Sequence, residues 1–185
     1  MIETLREITF QYLLPILIVL VGLYMAAKTN LLKDVSNLTP KPYSFARSQL
    51  FWWTLIIICC FSISYGSTGE MPELSASCLV LLGISLGTTT TARIIDNNEI
   101  NSKVVRYQNE PDKKGKGFLY NILSDENGVS MHRFQALVFN IIFGLMFIVE
   151  FASDRSTFIN FSNVELGLMG VSSAAYVGLK MNENK

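Results

Sequence analysis

Five long stretches without a single lysine or arginine divide this chain, and they limit what it can fold into. They run from Phe10 to Ala27, Leu50 to Tyr65, Leu74 to Ala92, Phe134 to Ala152 and Val164 to Leu179. A helix rising 1.5 Å per residue needs about 20 apolar residues to cross about 30 Å of hydrocarbon. The second and fifth stretches are short for this, and interfacial residues on either side complete them. Half of all residues are hydrophobic and 16% are charged, against about a quarter charged in an ordinary soluble domain. The pattern predicts an all-α polytopic membrane protein with five transmembrane helices. The first stretch reads as a retained helix and not a cleaved leader. Glu3, Arg6 and Glu7 precede it, so its flank is not positive, and no small-x-small cleavage site follows.

Charge sets the expected orientation. The segments after the first, third and fifth stretches, with the residues that open the second and fourth, hold thirteen of the 15 basic residues. Arg6 and Arg155 are the other two. Cytoplasmic loops of membrane proteins carry such an excess. The expected location is the bacterial inner membrane, with the N-terminus outside and the C-terminus in the cytoplasm.

The chain then reads as four parts. Residues 1–43 form a leading helix and cytoplasmic linker, 44–95 a first transmembrane hairpin, 96–129 a cytoplasmic basic insert, and 130–185 a second hairpin. The insert includes a short amphipathic helix at Phe118–Leu123, with Ser130 as the cap of the following helix. The hairpins repeat each other. Ser44, Arg47, Gln49, Ile56 and Phe61 match Ser130, Arg133, Gln135, Ile142 and Phe147 at an offset of 86. Leu79, Leu81, Gly83 and Ser85 match Leu166, Leu168, Gly170 and Ser172 at 87. Both hairpins enter from the cytoplasm, so the fold is one leading helix plus two parallel-repeat helical hairpins.

Several residue groups could carry function. Gly83 and Gly87 form G-x-x-x-G, and Gly170, Ala174 and Gly178 continue that spacing in the fifth helix; such rows let helices approach closely, within one protomer or around a pore. Thr88 and Thr91 add hydroxyls, and Asn140 is a polar group inside the fourth stretch. Arg47, Gln49, Arg133 and Gln135 are expected at an inner mouth, and Glu150 and Glu165 at an acidic outer mouth; ordinary interfacial anchoring accounts for the same residues. Arg106, Lys113, Lys114 and Lys116 make the insert a candidate receiver for an anionic, nucleotide-like ligand or a cytosolic protein. The single histidine, His132, beside Arg133, reads as solvated or packed. Cys59, Cys60 and Cys78 lie in apolar runs and read as reduced, packed thiols. No hydrolase, P-loop or zinc-protease motif is present, so the chain does not read as an enzyme, and no cofactor or metal is expected.

The segments S-F-A-R-S-Q-L-F-W-W at 44–53 and L-S-D-E-N-G-V-S-M-H-R-F-Q at 123–135 resemble a pattern found in uncharacterised bacterial small multi-pass membrane proteins. The build is also similar to membrane effectors of antiviral defence systems, which implies an oligomeric pore opened by a cytosolic signal. The expected function is therefore a homo-oligomeric membrane ion channel or pore, embedded in the lipid bilayer and regulated at the 96–130 insert. A membrane anchor or sensor recruiting a cytosolic partner, and a small-solute transporter with parallel repeats, are the competing readings.

Overall fold

A computed structural model describes residues 1–36, 39–103, 117–125 and 127–183. The first helix, α1 (Ile2–Lys28), is continuous but changes register, passing through a π-helical stretch at Glu7–Leu13 before returning to α geometry at Leu14. Its sequence explains why. Where the two registers join, the Leu14 N–H bonds the Thr9 carbonyl. In π register the Phe10 carbonyl would then take the N–H of residue 15, but that residue is Pro15 and has none. The Ser62 hydroxyl, from the next helix, donates to Phe10 O instead at 2.7 Å.

The linker after α1 folds back. Lys33 bridges Tyr43, and the Ser44 N–H bonds Leu32 O at 2.8 Å. Ser44 then caps α2 (Phe45–Thr68), which ends on Gly69 in the left-handed region at φ 79°. Ser75 caps α3 (Ala76–Asn101). Beyond it come α4 (Phe118–Leu123) and a minimal hairpin of β1 (Ser124–Asp125) and β2 (Gly128–Val129), paired Ser124 to Val129 and Asp125 to Gly128. Ser130 occupies the N-cap position of α5 (Met131–Ser153) without a side-chain capping bond. The last helix, α6 (Asn163–Lys180), opens with a full capping box between Ser162 and Glu165.

Four of these helices, α1, α2, α3 and α5, are long and apolar enough to cross a membrane. The fifth, α6, is present but has 18 residues. It carries Glu165, Ser172, Ser173 and Lys180, which dilute its hydropathy.

The helices α2, α3, α6 and α5 form a closed ring in which each packs on the next, and α1 leans on α2 from outside. Two apolar clusters fill the ring. The larger, toward the face that carries the N-terminus, is aromatic. Phe143 meets Phe161 edge-on at 5.4 Å, Trp53 meets Phe147 at 6.2 Å, and Phe158 fills the space beside Phe147 and Phe151. The smaller cluster, toward the opposite face, joins Phe45, Ala46, Ala92, Ile122, Ala136 and Tyr176. Polar clasps lie between them. Gln49 donates to the Ser173 hydroxyl at 3.2 Å, and the Thr89 hydroxyl reaches Ala46 O at 3.0 Å.

Candidate functional site at the C-terminal face

The C-terminal face of the ring holds a buried ionic network, and four chain segments meet in it. The α6 C-terminus brings Lys180, whose ammonium lies 3.2 Å from Asp34 of the linker and 3.1 Å from Asp96 of α3. Beside it, Arg133 at the start of α5 pairs with Glu183 just beyond α6 and lies 5.3 Å over the Tyr176 ring. All of these charged residues are buried. A buried charge left unpaired costs several kcal/mol, so these groups hold linker, α3, α5, α6 and tail in one arrangement. Burial pushes the Glu183 carboxyl up from its usual value, and the Arg133 guanidinium and then the Lys180 ammonium partly offset that rise.

Next to the network is a polar recess of about 130 Å³ lined by Asp125, Asn127, Ser130, His132, Arg133, Asn182 and Glu183, with Tyr176 and Leu179. It is roomy and polar enough to hold ordered water. The hairpin that ends the insert forms one wall and the C-terminal tail another. A ligand seated there would therefore touch the insert, α5 and the tail together. No cluster of three or more histidine, cysteine or carboxylate side chains suited to a metal occurs among the described residues.

The sequence-derived candidates distribute unevenly around this geometry. Gly83 and Gly87 face outward, and a Cβ built on either meets nothing within 4 Å. Gly178 and Gly167 are the same, and Ala174 is exposed; only Gly170 approaches another helix, at 3.9 Å from the end of Ile84. Within the protomer the close-approach glycines are others. A Cβ on Gly66 would lie 2.7 Å from the Gln11 backbone nitrogen, and one on Gly144 would lie 2.6 Å from Trp52 Nε1. The Thr88 and Thr91 hydroxyls turn back to their own helix, to Ile84 O at 2.7 Å and Gly87 O at 2.9 Å. Asn140 is a structural clasp, accepting from the Trp53 indole at 2.8 Å and donating to Ala136 O at 2.8 Å.

The residues expected at an inner mouth do not converge on one. Positions two apart on a helix point about 200° apart. Gln49 is thus buried against Ser173 while Arg47 reaches the linker at Asn30 O, and Arg133 is buried while Gln135 is exposed. Nor do the outer-mouth glutamates form a pair of free carboxylates. Glu150 is exposed, but Glu165 accepts from the Ser162 N–H at 2.7 Å as part of the α6 cap. His132 is exposed and borders the recess. The three cysteines are free thiols. Arg106, Lys113, Lys114 and Lys116 lie outside the described residues.

Asp34, Asp96, Lys180 and Glu183 had no local signal that could assign them. Asp34 and Lys180 stand 146 residues apart, and each alone reads as an ordinary interfacial charge. Tyr176 sits within an apolar run, and only the fold brings it under Arg133. No known protein family, curated protein or solved structure matches the chain.

Proposed function

We propose that the protein is a homo-oligomeric membrane channel or pore whose conducting path runs between subunits and whose state is set at the C-terminal face. The observation that carries this reading is the direction of the small-residue rows. Gly83 and Gly87 on α3, and Gly167, Ala174 and Gly178 on α6, face out of a ring whose interior is already filled. Outward small residues suit close packing of a helix from another copy. Among the described residues, phenylalanine and tryptophan side chains fill the interior of one protomer, which argues for a path at a subunit boundary.

In this reading all five helices span the bilayer of a bacterial inner membrane. The thirteen-to-two division of the 15 basic residues supports an outside N-terminus. It also supports an inside location for the ionic network and recess. The starts of α2 and α5 differ by 86 residues and those of α3 and α6 by 87, which supports two parallel hairpin repeats. The recess beside Arg133 gives the insert and the tail a shared ligand or partner site, as expected of a pore gated from the cytosol. It also favours a second reading, a membrane sensor that recruits a cytosolic partner without conducting. The resemblance to antiviral effectors agrees with the first.

Ion flux from proteoliposomes separates the two. The channel reading predicts flux from the wild-type protein and its loss in Gly87→Leu, with Leu79→Ile, an exposed apolar change on the same helix, unaffected. No flux under any cytosolic-side condition, together with unaltered partner capture, would support the sensor.

A further inference from the structure

Because α1 packs on α2 and stands away from α5, an open groove of about 980 Å³ runs between α1 and α5 with α2 as its floor. Its walls are Val19 and Leu23 of α1, Phe51 and Leu55 of α2, and Ile148 and Phe151 of α5. Polar groups stand at its ends. Gln11 and Tyr12 line the end nearer the N-terminal face, where Gln11 abuts Gly66. Arg155, two residues beyond α5, lines the same end, is exposed, and has no ion pair among the described residues.

We propose that this groove is a glycerophospholipid site, with an acyl chain along α2 between α1 and α5 and the phosphate against Arg155. Three features select that occupant. The walls are almost wholly apolar, and the volume lies within the range of small-ligand sites, about 300–1,000 Å³. From Gln11 to Ala27 the groove follows about 24 Å of helix axis at 1.5 Å per residue. One leaflet of hydrocarbon is about half of 30 Å deep, so a single chain fits inside the groove's length. The unpaired guanidinium stands where the headgroup of that leaflet would lie, and it matches a phosphate in charge and in donor geometry. A helix of a second copy would satisfy the apolar walls but leave the cation unused. The inference needs only that the chain is embedded in a bilayer and does not depend on conduction.

Native mass spectrometry of the protein purified in mild detergent and titrated with a phosphatidylglycerol tests this. The wild type is expected to retain one phospholipid per chain, Arg155→Glu to weaken that retention about tenfold, and Arg155→Lys to restore most of it. Ala152→Trp, which fills the groove from α5 and keeps Arg155, should also lose the lipid. Equal retention in the wild type, Arg155→Glu and Ala152→Trp would overturn the site. So would efficient cross-linking of two copies through the half-buried Cys59 thiol, which lines the groove, because a second copy would then be the occupant.

Discussion

Lys180 is the residue on which the C-terminal face depends most. Its ammonium stands between two buried carboxylates, Asp34 of the linker and Asp96 of α3. Removing the cation leaves the carboxylates facing each other in low dielectric. Lys180→Met should therefore destabilise the protein by about 3–5 kcal/mol. Thermal unfolding in detergent reads this directly, and adding Asp34→Asn and Asp96→Asn should recover much of the loss, since the two buried carboxylates no longer repel each other. Full stability of Lys180→Met alone would mean the network is solvated. Trp53 and Asn140 pose a smaller version of the same problem. Asn140→Leu strands the buried Trp53 indole N–H, at about 1–3 kcal/mol.

At the level of elements, the helices were largely legible in the sequence and their contacts were not. Long apolar runs free of lysine and arginine announced α1, α2, α3 and α5, because a membrane-spanning helix must be predominantly apolar over its length. Ser44 marked a helix start for a local reason, the unsatisfied N–H groups of a first turn, whereas Ser130 stands at the N-cap position of α5 without making that bond. Which glycine meets which helix depends on rotation about the helix axis. Spacing alone leaves that free, so Gly83 and Gly87 stood out while Gly66 and Gly144 did not. The register change in α1 was likewise hidden, although Pro15 is its visible cause. That change yields a sharp expectation. Ser62→Ala removes the donor to Phe10 O, and that α1 carbonyl then loses its side-chain partner where Pro15 already denies it a backbone one. Hydrogen exchange at residues 8–14 should rise, with α2 to α6 unchanged. Gly144→Ala acts on the ring itself, forcing Trp52 off α5 and breaking its 3.1 Å bond to Asn140 O. Its unfolding temperature should fall while α1 exchange stays normal.

For the whole molecule, the arrangement is a closed ring with its ionic network at one end and Gly83, Gly87, Gly167 and Gly178 on the outside. Under the proposed function, the glycines left on the surface of a ring packed with phenylalanine meet a helix of another copy. The most direct measurement is disulfide formation in native membranes by single-cysteine variants, in a background with Cys59, Cys60 and Cys78 replaced by alanine. Cysteine at position 87 or 178 should yield a cross-linked dimer of chains under mild oxidation, while cysteine at position 13, on the exposed face of α1, should not. Cross-linking at 13 but not at 87 or 178, with the protein folded and inserted, would contradict the account, because the outward glycine faces would then have no second copy against them.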